Sequence, residues 1–300
     1  MAYPYRKVLA PLDGSELAER AIPYAKTIAR NKGSEIILFT VSATASDERL
    51  GRPMKAYLEL TAKEMSSQGI KASTAIVCGN VAEEIIEFAD KNKVAIIVIS
   101  THGYSGIKRW MLGSVARKVL YSTCAPVLLI KSKAPKGSPV EFRKILLPLD
   151  GSPFSETPIP YVEELTRGTE AEVVLIVVSE PPVVPTYGTR PINPTWEKYR
   201  NTLWAEMQQQ ASDYVGKIKA NFEKRGVKVK SQVIPGELGK VTETIIQVAQ
   251  KENVNLIAMA THGRTGVSRW VYGSVTNRIV EQSLQPVLLI RPCKPEEPSV

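Results

Sequence analysis

Ser100-Thr101-His102-Gly103-Tyr104-Ser105-Gly106-Ile107-Lys108-Arg109-Trp110-Met111-Leu112-Gly113-Ser114-Val115 returns later as Ala260-Thr261-His262-Gly263-Arg264-Thr265-Gly266-Val267-Ser268-Arg269-Trp270-Val271-Tyr272-Gly273-Ser274-Val275. Nine of the seventeen positions from 101 to 117 are identical in 261 to 277, which chance does not give. Each copy follows an apolar run (Val94–Ile99, Leu256–Met259) and leads into an amphipathic stretch opened by Gly-Ser. A buried strand, a glycine-bearing loop and a helix N-terminus together suit the gripping of phosphate by backbone N–H groups.

Working outward, the duplication extends over both halves of the chain. Val8-Leu9-Ala10-Pro11-Leu12-Asp13-Gly14-Ser15 matches Ile145-Leu146-Leu147-Pro148-Leu149-Asp150-Gly151-Ser152, a shift of 137 residues. Val41 matches Val178 at the same shift, Gly79 matches Gly236 at 157, and Gly103 matches Gly263 at 160. The second copy therefore carries 20 extra residues after its second strand and three more near Gly239. A repeated supersecondary unit of this size points to two domains. They are expected at 1–132 and 142–291, with a linker at 133–141, an insertion at about 180–200 and a tail at 292–300.

Within the first copy, β-branched runs at 7–12, 35–41, 71–77, 94–99 and 126–130 alternate with helical periodicity. Leu17, Ala21, Ala25, Ile28 and Ala29 form one helical stripe; Ile85, Ile86 and Ala89 form part of another. Alternating strands and helices predict an α/β fold with a parallel sheet covered on both faces, doubly wound. Pro23 and Pro160 fall inside matching helix patterns and are expected to bend or break them. The insertion holds Pro181, Pro182, Pro185, Pro191 and Pro194, too many for a helix or a central strand. It leaves from the ligand edge of the sheet, where it would lid the second site.

Bulk properties narrow the function classes. The longest apolar runs fall far short of the roughly 20 residues that span a bilayer, and the amino end predicts no signal peptide. Cys78, Cys124 and Cys293 lack metal-like spacing, and their odd number gives no disulfide framework. Cys78 and Cys124 are expected as small buried residues. A net charge of +9 is spread over many elements rather than clustered with aromatics, so no nucleic acid and no membrane partner is expected. The expected location is cytoplasmic.

The chemistry is constrained by what is missing. Neither copy has Gly-x4-Gly-Lys-Ser/Thr, and neither has Gly-x-Gly-x-x-Gly after its first strand. What remains is an Asp after the first strand (Asp13, Asp150) and the glycine-rich loop after the fourth. If those strands are neighbours, both features lie at the switch point of the sheet. The carboxylates would then reach ribose hydroxyls, and the amides near Gly103, Gly113, Ser114 and Val115 would hold phosphates. Asp-Gly-Ser is also an ordinary turn, and Ser114 and Ser274 are natural N-caps. His102 and His262 lack a nucleophile to activate, so a structural role outweighs a catalytic one. Arg109 and Arg269 fit phosphate contact and a solvated face equally, while Trp110 and Trp270 are expected to pack between domains or subunits.

These motifs resemble those of the universal stress protein family, found here in tandem over residues 5–131 and 142–291. The resemblance implies two five-stranded, Rossmann-like domains of strand order 3-2-1-4-5. It implies that the last strands pair across a pseudo-twofold axis, so that the chain imitates a homodimer and can associate further. The family's nucleotide-binding members carry Gly-x-x-Gly-x9-Gly-Ser/Thr after strand four. Gly103, Gly113, Ser114 and Val115 match this in the first copy, as do Gly263, Gly273, Ser274 and Val275 in the second. Ser100 and Ala260 stand where the motif has its first glycine. Pro11, Asp13 and Val41, with Pro148, Asp150 and Val178, match the rest of the pocket, and His102 and His262 lie beside it. The implied ligand is ATP or AMP, with Mg²⁺ as an optional companion, in a stress-response regulator with little or no turnover. A nucleotide-free scaffold and a slow ATP hydrolase are the alternatives.

Overall fold

The computed structural model describes residues 5–42, 48–101, 112–131, 140–183, 194–261 and 273–292, and the side chains of all of these except 48–51 and 194. The first repeat runs β1 (Lys7–Pro11), α1 (Glu16–Glu19), α2 (Ile22–Lys32), β2 (Glu35–Ser42), α3 (Glu48–Ser67), β3 (Ala72–Cys78), α4 (Val81–Lys91), β4 (Ile96–Ser100), α5 (Ser114–Ser122) and β5 (Val127–Ile130). The second runs β6 (Lys144–Leu149), α6 (Ile159–Thr166), β7 (Glu172–Ser179), α7 (Pro194–Lys224), β8 (Lys228–Pro235), α8 (Val241–Lys251), β9 (Leu256–Ala260), α9 (Ser274–Gln282) and β10 (Val287–Ile290). All ten strands join one sheet of order β3-β2-β1-β4-β5-β10-β9-β6-β7-β8. Each repeat thus shows the order 3-2-1-4-5, with every pair inside a repeat parallel. Among the described residues no helix is long and apolar enough to cross a membrane.

Two cores explain why the central strands read as unbroken apolar runs rather than alternating ones. Val8 and Ala10 of β1 face one side, against Ala25 and Ile28 of α2 and Leu58 and Met65 of α3. Leu9 faces the other, against Ile85 and Ala89 of α4 and Val119 of α5. Full burial of each of the valine, leucine, isoleucine and methionine side chains among these contributes about 1.5–3 kcal/mol. Helix ends are set locally. Gly33, at φ 64°, terminates α2 with its N–H on the Ala29 carbonyl, and the Asn80 side chain caps α4.

Three local expectations are corrected. Pro23 and Pro160 lie in the first turns of α2 and α6, where a missing N–H costs no helical bond, so they start helices instead of breaking them. The stripe beginning at Leu17 is divided between α1 and α2, and Ala18 is the buried residue of α1. The proline-rich insertion is partly helical: α7 spans 31 residues against 20 in α3, and Pro194 is its first. Residues 184–193, 132–139 and 293–300 lie outside the described residues, which covers Pro185, Pro191, Cys293 and most of the expected linker and tail.

The repeats meet through β5 and β10, each reading Val-Leu-Leu-Ile and buried throughout. They pair antiparallel, with Val127 opposite Leu289, Leu128 opposite Leu288 and Leu129 opposite Val287. Left apart, each would expose an apolar edge with unpaired backbone groups. The outermost β8 is different in character: it alternates exposed Lys228 and Lys230 with half-buried residues and ends in Pro235. Flanking contacts cross the junction reciprocally. Lys131 Nζ donates to the Val280 carbonyl at the end of α9, and Arg291 Nη1 donates to the Tyr121 carbonyl at the end of α5. Each repeat thus places a cation on the negative end of the other's last helix.

Burial pulls the Lys131 ammonium down to about 8, opposed only in part by the Glu281 carboxylate. A lysine depressed on folding is charged at a cost below that pH. As pH rises through about 8 toward the unfolded value, the folded chain holds fewer protons than the unfolded one, so stability rises. Urea titrations at pH 7.5 and 9.5 are expected to show a gain of roughly 2 kcal/mol at the higher pH. The Lys131→Met variant should lack that gain; an equal gain in the variant would assign it to other groups.

Candidate functional site

At the carboxyl ends of β1, β2 and β4 lies a cavity of about 360 Å³ whose lining includes Pro11, Asp13, Val41, Ser100, Gly113, Ser114 and Val115. Its counterpart in the second repeat, about 330 Å³, includes Pro148, Asp150, Val178, Ala260, Gly273, Ser274 and Val275. The fold therefore gathers fourteen of the residues singled out from the sequence into two equivalent places. His102, Gly103, His262 and Gly263 lie outside the described residues, as do Gly106, Arg109, Trp110, Arg269 and Trp270. Sequence reasoning missed the apolar wall. Val81 and Ile85 from α4 line the first cavity, and Val241 and Ile245 from α8 line the second. Their spacing marks a helix face, but only packing shows that the start of that face overhangs the sheet edge.

One end of each cavity is built from backbone. The Gly113 N–H donates to the Thr101 carbonyl at 2.8 Å, and the Gly273 N–H to the Thr261 carbonyl at 3.1 Å. These bonds bring the far end of each glycine-rich loop back over the tip of β4 or β9. Gly113 and Gly273, rather than the serines, occupy the N-cap positions of α5 and α9, and neither helix start has a side-chain cap bond. Ser114 and Ser274 are the first helical residues, which corrects their expected capping role. A helix start without a capping side chain directs its N–H groups and the positive end of its dipole at the cavity.

Each cavity also holds a carboxylate, after the neighbouring β1 or β6. Asp13 Oδ1 accepts from the Ser15 N–H at 3.0 Å and the Ser15 hydroxyl at 2.6 Å, while Ser15 Oγ accepts from the Ala18 N–H at 3.1 Å. Asp150 Oδ1 accepts from the Ser152 N–H at 2.9 Å, and its own N–H donates to Ser155 Oγ at 3.3 Å. The turn and pocket readings of these aspartates are thus compatible: the turn fixes the carboxylate at the rim. Behind each stands a tyrosine. Tyr57 donates to Glu19 Oε1 at 2.8 Å, and burial followed by that glutamate pushes its phenol up. Tyr214 is also raised, by burial first; its hydroxyl stands beside Glu156 and Ser155 without a hydrogen bond of good geometry. High phenol pKa values keep both tyrosines neutral beside the aspartates.

Neither described cysteine is buried, contrary to expectation. Cys78 is exposed and free at the end of an edge strand, and Cys124 is exposed. No group of three His, Cys, Asp or Glu side chains able to hold a metal occurs among the described residues. Of the described residues at 180–183 and 194–200, only Glu180 lines the second cavity, so the lid expectation narrows to that residue.

A duplicated 3-2-1-4-5 sheet with a glycine-capped helix after each β4-type strand defines a tandem, doubly wound α/β protein. The family model described as the universal stress protein family matches residues 4–131 and again 141–291, and the chain belongs to that family. A universal stress protein of Methanocaldococcus jannaschii is 29% identical over 159 residues, covering 51% of this chain and 96% of the relative. One from Mycolicibacterium smegmatis is 27% identical over 231 residues, covering 75% of this chain and 71% of its own. The crystal structure of a universal stress protein from Archaeoglobus fulgidus superposes with a TM-score of 0.70, covering 96% of this chain and 98% of that one. At 20% identity that likeness establishes the fold.

Gly236 allows the second cavity its shape. A Cβ there would sit 2.6 Å from Val178 Cγ1, on a β-branched side chain with little rotational escape. Gly236→Ala is expected to destabilise by about 1–3 kcal/mol and to displace Val178, with the first cavity unaffected. Amide chemical shifts around Val41 should stay fixed while those around Val178 move; shifts at both would show a global effect.

Proposed function

We propose that the chain binds an adenine nucleotide, ATP or AMP, in each of the two cavities and acts as a stress-response regulator with little or no turnover. The carrying observation is the position of Gly113 and Gly273 at N-caps that no side chain fills, lining cavities that also hold Asp13 and Asp150. Phosphates would meet the helix amides, with a dipole contribution of about 0.3–1 kcal/mol, up to about 2 where partly buried. Ribose hydroxyls would donate to the aspartates, and the base would lie against Val41 or Val178 and the wall from α4 or α8. Mg²⁺ would enter on the nucleotide's own phosphates. The division into domains at 1–132 and 142–291, and their service as an internal homodimer, belong to the same reading. Membership of the universal stress protein family supports it.

ATP with Mg²⁺ at about 100 times its dissociation constant should stabilise the fold by roughly 2.7 kcal/mol, seen as a rise in melting temperature. The Gly113→Val/Gly273→Val double variant should lose that rise. A wild-type chain whose melting temperature ignores ATP and AMP would overturn the nucleotide reading in favour of a ligand-free scaffold.

A further inference from the structure

Three features that the second repeat has and the first lacks converge at the carboxyl end of β7. The first is Glu180, whose counterpart at the shift of 137 residues is Ala43. The second is the three-residue insertion ahead of α8, which ends at Gly239. The third is the extension of α7, eleven residues longer than α3, which carries Trp204. Trp204 Nε1 donates to Ser179 Oγ at 3.1 Å, fixing the last residue of β7. The Gly239 N–H donates to Glu180 Oε1 at 2.6 Å, fixing the next side chain.

These contacts fix Glu180, which lines the second cavity together with Val178 and Val241. Glu180 follows β7, which β6 separates from β9 and the glycine that opens α9. Among the described residues the lining of the first cavity has one carboxylate, Asp13, which follows the central β1. With one oxygen taken by Gly239, a carboxylate still has acceptor capacity on both oxygens and no donor. It therefore favours a ligand edge that presents N–H groups and disfavours one that presents a lone pair.

We propose that Glu180 is a base-selecting residue of the second cavity, accepting hydrogen bonds from a purine edge that presents two adjacent N–H donors. Resting on the nucleotide reading above, this makes the two cavities unequal. Guanine offers adjacent N1–H and N2–H₂ donors to a carboxylate. Adenine offers one amino group beside the N1 lone pair, which a carboxylate repels. The second cavity shifts toward guanine nucleotides relative to the first.

Isothermal titration with ATP and with GTP, using Gly113→Val to isolate the second cavity and Gly273→Val to isolate the first, tests this. The ratio of GTP to ATP affinity should be about tenfold higher in the second cavity, the scale of one added charged hydrogen bond. Adding Glu180→Gln to the Gly113→Val chain should swing the ratio toward ATP. The glutamine carbonyl keeps the Gly239 bond, while its NH₂ becomes a donor suited to adenine N1. Equal ratios in the two cavities, or a glutamine variant that weakens both nucleotides by one factor, would overturn the selectivity while leaving nucleotide binding intact. Failure of either nucleotide to bind either single glycine variant would overturn both readings.

Discussion

Two Val-Leu-Leu-Ile strands, β5 and β10, have no polar side chain and no apolar neighbour on one edge except each other. Their antiparallel pairing is the constraint on which the arrangement of the chain depends. It fuses two five-stranded sheets into one of ten, and both hydrophobic cores then run across the junction. It also sets α5 and α9 side by side, so that Lys131 and Arg291 each reach a carbonyl at the end of the opposite helix. The lysine bears the cost of that position, because its charge is held where water is largely excluded.

The junction and the cavities are linked through the same short strands. Thr101 bonds through its N–H to Ile130 at the end of β5, and through its carbonyl to Gly113 at the start of α5. Thr261 does the same between Ile290 and Gly273. The glycine that opens each helix is therefore positioned by the strand that joins the repeats. A rigid scaffold presenting loop and helix-start amides is the usual way such folds hold anions at a switch point.

Duplication followed by local change accounts for the differences between the cavities. Both keep the aspartate rim, the glycine-capped helix and an aliphatic wall. The additions of the second repeat fall around the end of β7, where Glu180, Gly239 and Trp204 tie three elements together. Changes at one sheet edge leave the buried strands untouched, so a site can diverge there at little cost to the core.

The strands and the duplicated, parallel α/β pattern were legible in the sequence because buried β-branched runs and a repeated motif are local signals, whereas the strand order came with the family resemblance. Most of the candidate site was legible too, since Asp13, Gly113 and their counterparts sit in short recognisable stretches. Helix starts were less so: whether Pro23 breaks a helix or begins one depends on where the preceding turn ends, which local pattern does not fix. The placement of Val81 and Ile85 in the cavity wall, the cation pair at the junction and the contact of Glu180 with Gly239 were decided only by tertiary structure. Each joins residues far apart in the chain, and sequence periodicity carries the face of an element but not the partner it meets. By itself the sequence determined a duplicated α/β unit and the backbone turns at its ligand edge; which side chains close that edge was left to packing between elements.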